Sequence, residues 1–143
     1  MAFKFRLETS LRLANQEMDI AQGQLAQELR VLRTFSEQRD YQLSIFLHSL
    51  EGQKKACLME PQNLSLWLKF SLEQKEKLSN CEKRLQEQEK IVAKYRENLV
   101  ECRIKVEKFK RLKEKQLKLY EIEELKKEQG IIDEVAQSRT GWR

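Results

Sequence analysis

Residues that interrupt regular structure are scarce in this sequence. Its 143 residues include four Gly and one Pro, well below the roughly 12% that average usage would supply. This scarcity excludes folds that need many tight turns, such as β-sandwiches and α/β folds. Charged residues make up 36% of the chain, about half again the share in an ordinary globular domain. The composition therefore predicts long helices, and we expect an elongated molecule without a thick globular core.

Cysteine, histidine and long apolar runs are also in short supply. Cys57, Cys81 and Cys102 are odd in number and widely spaced, and His48 is the sole histidine, so neither a disulfide framework nor a zinc site is expected. The N-terminus lacks the apolar core of a secretory signal, and no stretch approaches the roughly 20 apolar residues of a membrane span. We therefore expect a cytoplasmic protein with reduced, structural thiols.

No pattern typical of an enzyme is present either. The glycines are too far apart for a phosphate-binding loop, and His48 has no nearby nucleophile at a spacing that would select it. We predict no catalytic residue, no metal ligand, no cofactor and no enzymatic activity.

Apolar residues recur at alternating steps of four and three along two segments, as in the a/d seam of a coiled coil. The first segment comprises Leu7, Leu11, Ala14, Met18, Ala21 and Leu25. The second is more regular and comprises Leu78, Cys81, Leu85, Gln88, Val92, Tyr95, Leu99, Cys102, Val106 and Phe109. Between them, Gly52 suits a C-terminal helix cap and Pro61 suits the first turn of a new helix.

These signals predict a single all-α domain over residues 1–143, an antiparallel coiled-coil hairpin of two long helices. Helix 1 is predicted over about residues 5–50, the turn over 51–63 and helix 2 over about 61–138. With the turn centred near residue 57, Leu7 faces Glu107, so helix 2 overhangs from about residue 110. There the strict register falls on Lys113 and Gln116, and we expect the seam to change partner or direction.

Charge and apolar side chains are unevenly distributed. Residues 103–118 contain eight Lys or Arg and two Glu, which indicates either a solvated helix surface or a surface for an anionic partner. The turn end and the overhang carry more apolar residues than a two-helix seam can bury. At the turn they form either a small cap or a binding surface, and pairing of two chains is one way to cover the overhang.

Both ends of the chain resemble one protein family. The opening Phe3-Lys4-Phe5-Arg6-Leu7-Glu8, with a Leu-rich first turn after it, is similar to the N-terminal signature of the FliJ family of flagellar type III export proteins. Ile131-Ile132-Asp133-Glu134-Val135-Ala136 resembles that family's C-terminal segment. The resemblance implies an antiparallel coiled coil similar to the central stalk subunit of rotary ATPases, with paired termini that enter the hexameric ring of the flagellar export ATPase.

Carried over by position, the resemblance implies two binding sites. The residues for the ATPase are Phe5, Arg6, Leu7, Leu11, Ile132, Asp133, Glu134 and Ala136. The residues for the export gate, an integral membrane protein, are Tyr41, Ile45, Trp67 and Phe70. Through these partners the chain would lie peripheral to the inner membrane at the flagellar base, promote assembly of the ATPase ring and couple it to the gate.

Other functions stay open on the sequence. The apolar turn end also suits a chaperone or escort for export substrates or for their chaperones. The same architecture suits the equivalent stalk of a virulence type III secretion injectisome. Residues 103–118 would serve a basic coiled coil that binds nucleic acid, but no aromatic residue outside the seam is placed to stack on bases, so no nucleic-acid partner is expected.

Overall fold

The chain folds into two long helices that pack against each other as a hairpin. The computed structural model describes residues 2–140. Helix α1 spans Glu8–Met59, a short 3-10 helix spans Pro61–Asn63, and helix α2 spans Leu64–Thr140. No strand occurs among the described residues. The predicted all-α helical hairpin is confirmed.

The turn is shorter and later than the sequence predicts. Helix α1 continues past residue 50 to Met59, and Gly52 lies inside it, so the prediction that Gly52 caps a helix is wrong. No described Gly has a positive φ, which is the conformation that favours Gly at a helix C-terminus. Pro61 does start the 3-10 turn, where Asn63 donates its backbone N–H to the Glu60 carbonyl at 3.0 Å and its side-chain amide to the Glu60 carboxylate at 2.8 Å.

Contacts divide the chain into two units, which we call the terminal unit (described residues 2–19 and 100–140) and the turn unit (Ile20–Leu99). In the terminal unit the core is wholly apolar. Phe5, Leu11, Ala14 and Val106 are buried together, and partly buried side chains surround them: Phe3, Leu7, Met18 and Phe109. Phe3 and Phe5 precede the first helical residue, Glu8, so the N-terminal segment contributes to this core before α1 begins.

The turn unit has a seam of mixed character. Its buried apolar residues are Ala21, Ala56, Leu78, Leu85, Val92 and Leu99, and its buried polar residues are Ser49, Ser71, Gln74 and Gln88. Gln88 donates its side-chain amide to the Glu28 carbonyl at 3.1 Å and to the Glu28 carboxylate at 2.6 Å. Gln42 donates to the side-chain oxygen of Gln74. These bonds cross between α1 and α2 and satisfy the buried amides.

The seam on α2 keeps its register beyond Phe109, contrary to the predicted change of direction. Lys113 and Gln116 are half-buried, and Lys113 Nζ lies 2.8 Å from the Glu8 carboxylate. At the next seam position, the ring of Tyr120 packs on Phe3 with centroids 5.5 Å apart. A lysine can pack its aliphatic stem along a seam while its ammonium pairs with a carboxylate. Lys113 therefore occupies a seam position of the kind that apolar residues occupy elsewhere on α2.

Candidate functional site

The N-terminal residues assigned by resemblance to the ATPase lie mostly inside the terminal unit. Phe5 and Leu11 are each 7% exposed, Leu7 is half-buried, and Arg6 is exposed. The backbone N–H of Glu8 donates to the Phe5 carbonyl at 3.1 Å, which fixes the approach of the N-terminal segment to α1. Of these four side chains, Arg6 is therefore the one presented to solvent.

The C-terminal residues assigned to the same site lie on an exposed helix. Between residues 121 and 139, Glu124 is half-buried and every other side chain is exposed. The large apolar side chains of this segment are 49% to 65% exposed: Ile122, Leu125, Ile131, Ile132 and Val135. The segment carries six Asp or Glu and three Lys or Arg. Apolar and acidic side chains thus share its surface.

The structure does not bring the two halves of this set together. The N-terminal segment packs on α2 around Val106 and reaches as far as Tyr120 through Phe3. Ile132 lies a further 12 residues along α2, which is about 18 Å at 1.5 Å per residue. The two halves therefore lie at different levels of α2.

The basic stretch next to this segment is partly neutralised. Lys105 lies 3.5 Å from the Glu17 carboxylate, Lys113 pairs with Glu8, and Arg111 lies 3.3 Å from Glu107. A change of sign still occurs along α2, from a net positive stretch at residues 103–118 to a net negative one at residues 121–139. Successive segments of α2 therefore present opposite charges to solvent.

Aromatic side chains form a second candidate surface near the turn. The Trp67 ring packs over Gly52, where a Cβ atom would lie 2.5–2.6 Å from the indole. The rings of His48 and Phe70 each contact Trp67 edge-on, with centroids 6.5 and 6.0 Å away. Gly52 is needed here because the indole occupies the space of any larger side chain.

Tyr41 and Ile45 belong to the same face of α1 as this aromatic cluster. Residues 41, 45, 48 and 52 follow one another at helical spacings of four, three and four, which places them on one side of the helix. Tyr41 is 68% exposed and Ile45 is half-buried. A groove of about 330 Å³ beside Trp67 is lined by Asn63, Leu66 and Phe70. All four residues assigned to the gate therefore lie on or next to one apolar face.

Sequence reasoning missed two members of this face. The sequence predicts a helix cap at Gly52, and it offers for His48 a catalytic or metal-binding role that it does not support. The four-three-four spacing from Tyr41 to Gly52 was a usable signal for a second face on α1. Contact between Gly52 and Trp67 depends on the position of the turn, which the spacing does not give.

Membrane-spanning helices and metal-binding clusters were both sought among the described residues. No helix within residues 2–140 is both long and apolar enough to cross a membrane. No group of three or more His, Cys, Asp or Glu side chains in that range is arranged to hold a metal ion.

These features define a two-helix hairpin with an apolar terminal core, an exposed C-terminal helix and an aromatic face near its turn. The chain belongs to the family described as flagellar FliJ protein, which it matches over residues 3–141. It is therefore a non-catalytic component of the flagellar type III export apparatus. Comparison with curated proteins and with solved structures gives no match.

Proposed function

We propose that this protein is a stalk of the flagellar export apparatus that binds the export ATPase ring at its termini and the membrane export gate near its turn. The observation that carries the first half is the exposed C-terminal helix. Ile132 is 65% exposed and Val135 50%, with Asp133 and Glu134 between them. Apolar side chains ringed by charge are typical of residues that become buried in a protein complex.

The buried N-terminal residues have a supporting part in this proposal. Phe5, Leu7 and Leu11 attach the start of the chain to α2, so they fix the base from which the C-terminal helix extends. Arg6 is exposed and joins Ile132, Asp133, Glu134 and Ala136 as a contact residue. Binding of the ATPase promotes assembly of its ring without chemistry by this chain.

The export gate is assigned to the aromatic face. The Trp67 indole packs over Gly52 and contacts the rings of His48 and Phe70 edge-on, and Tyr41 lies two helical turns before His48 on the same side of α1. Rigid aromatic anchors lose little conformational freedom on binding, which makes them strong contact residues. Contact with the gate places the chain at the inner membrane through its partner.

The ATPase half is tested by mixing the full chain with the export ATPase and measuring ring assembly and ATP turnover. Ile132→Glu is expected to abolish stimulation, because it places a charge in the contact. Ile20→Glu is the matched control, since Ile20 is 61% exposed against 65% for Ile132. Absence of binding by the unaltered chain, or an equal loss in both variants, would overturn the assignment.

The gate half is tested by binding to the cytoplasmic part of the gate protein. Tyr41→Ala is expected to weaken binding at least tenfold, and Leu72→Ala to leave it unchanged. The two side chains are 68% and 69% exposed but lie on different faces of the turn unit. Equal affinities for the two variants would remove the aromatic face as the gate site.

A chaperone or escort for export substrates is a second candidate, favoured by the apolar groove beside Trp67 and Phe70. Protection of a substrate from aggregation should then fall with Trp67→Ala or Phe70→Ala. Unchanged protection would exclude it. The match to a flagellar family favours the flagellar apparatus over the injectisome equivalent.

A further inference from the structure

A second apolar surface lies on the other flank of the turn unit, away from Trp67. Leu43, Leu47, Leu50, Lys54 and Cys57 follow one another along α1 at steps of four, three, four and three, as in a heptad seam. A groove of about 380 Å³ joins this row to α2, lined by Leu50, Gln53, Lys54, Cys57, Leu64 and Leu68. We call Leu43, Leu47, Leu50, Leu64, Leu68 and Leu72 the leucine face.

The seam beneath the leucine face buries little apolar surface. Between residues 41 and 77, all of which the structure describes, Ala56 is the one buried apolar side chain, whereas Ser49, Ser71 and Gln74 are buried polar ones. In the same range, Leu43, Leu47, Leu50, Leu68 and Leu72 are 38% to 69% exposed. These five leucines thus point away from the seam, which is the pattern of helices that receive a further helical layer.

The charge of the segment that carries this face favours a second copy over a strongly charged partner. Residues 40–76 carry five Asp or Glu and four Lys or Arg, so a second copy meets little like-charge repulsion. Lys54 lies within the leucine row, and Asp40 lies one helical turn before Leu43, on the same side of α1. One face therefore carries Lys54 at one end of its leucines and, at the other, the Asp40 carboxylate, which also accepts from Arg39 of its own chain at 2.9 Å.

We propose that two copies of this chain associate through their leucine faces, with α1 antiparallel to α1 of the second copy about a two-fold axis between Leu47 and Leu50. Leu47 of each copy then packs on Leu50 of the other. The same axis brings Lys54 of each copy towards Asp40 of the other, so two equivalent ion pairs flank the leucines. A two-fold interface repeats every contact, so one Asp40 and one Lys54 on each chain form two ion pairs across it.

The proposed interface buries the leucine face and leaves the aromatic face exposed, because Leu50 and Gly52 lie on opposite flanks of the seam. Self-association is therefore independent of the proposed gate and ATPase contacts.

Sedimentation equilibrium of the full chain over a wide concentration range tests the proposal. The unaltered chain is expected to form dimers, and Leu47→Glu is expected to raise the dissociation constant at least a hundredfold, because two charges enter the apolar centre. Leu66→Glu is the control, since Leu66 is 66% exposed and lines the groove beside Trp67. Circular dichroism establishes that each variant keeps its helix content.

Charge reversal tests the axis itself. Asp40→Lys and Lys54→Asp are each expected to weaken self-association about tenfold, because each places like charges in both ion pairs. An equimolar mixture of the two variants restores both pairs and is expected to dimerise as the unaltered chain does. A monomer at all concentrations, an unchanged dimer in Leu47→Glu, or a mixture as weak as its two components would overturn the proposal.

Discussion

The terminal unit and the turn unit differ in what they bury and in what they expose. In the terminal unit, Phe5, Leu11, Ala14 and Val106 form an apolar core, and polar or charged seam positions begin at Lys113. In the turn unit, the stretch nearest the turn (residues 41–77) has Ser49, Ser71 and Gln74 in its seam and leucines that face outward, whereas Leu78, Leu85, Val92 and Leu99 are buried farther from the turn. A heptad spacing thus shows which positions form the seam, and the side chains at those positions decide how much the seam stabilises the hairpin.

The difference has a functional meaning. The well-packed terminal core holds the N-terminal segment on α2 through its own contacts. The side chains of this core therefore stabilise the hairpin itself. A polar seam with leucines outside leaves apolar surface available for other chains. The proposed contacts near the turn therefore use surface that the hairpin does not need for its own closure.

The largest expected effect comes from Leu11→Ala, which removes a buried side chain of the terminal core. We expect a loss of about 2–3 kcal/mol in the free energy of unfolding, as is usual when Leu is truncated in a packed core. Leu47→Ala should change it by less than about 0.5 kcal/mol in the monomer, because Leu47 is exposed and Ala favours helix. Urea unfolding followed by circular dichroism measures both. Equal losses would erase the distinction between the units.

Gly52→Ala should destabilise the turn unit by about 1–2 kcal/mol, because the added methyl overlaps the Trp67 ring and the cost of overpacking exceeds the gain in helix propensity. Thermal unfolding and Trp67 fluorescence measure this effect, in a chain that also carries Trp142→Phe so that Trp67 is the one tryptophan. Gly23→Ala is the control, since a Cβ at Gly23 meets open space and should stabilise by about 0.5–1 kcal/mol. Stabilisation by both substitutions would contradict the packing of Trp67 on Gly52.

The bond between Gln88 and Glu28 offers a smaller test, on the polar part of the seam. Gln88→Leu alone should cost about 1–2 kcal/mol, because the Glu28 carboxylate loses its donor beside an apolar group. The double variant with Glu28→Leu should be at least as stable as the unaltered chain, since two apolar residues then fill the layer. A double-mutant cycle by urea unfolding gives the coupling. Strictly additive losses would mean that the two side chains do not interact.

The smallest effect is expected at the surface ion pair between Glu8 and Lys113. Glu8→Gln should lower stability by less than about 1 kcal/mol, because both side chains are partly exposed and such pairs contribute little. The loss should shrink as salt is raised. Unfolding in low and high salt measures it, and a loss of several kcal/mol at any salt concentration would show that Lys113 has a larger part in the seam than its exposure indicates.

Much of the hairpin could be predicted from the sequence. The four-three spacing located the seam from Leu78 to Phe109, and Pro61 located the connection between the helices. The end of α1 was missed because Gly52 has two uses, as a cap or as a site of close approach, and a distant residue, Trp67, selects the second. The change of seam at Lys113 was wrongly predicted because a lysine can pack its stem and pair its charge.

The candidate surfaces were predicted less completely. Their residue types were recognisable, since Tyr41, Trp67, Phe70 and Ile132 are large apolar side chains in a charged chain. Burial of Phe5 and Leu11 was not, because it depends on the N-terminal segment packing on α2 before α1 begins.

The sequence by itself determined that this protein consists of two long paired helices, because five Gly and Pro residues and a heptad spacing permit little else. It also determined the uneven charge along α2. Only the tertiary structure decided which apolar residues are buried and which remain exposed. The physical reason is that helical spacing fixes the face on which a residue lies, whereas burial depends on the opposing side chain, which is set by where the chain turns.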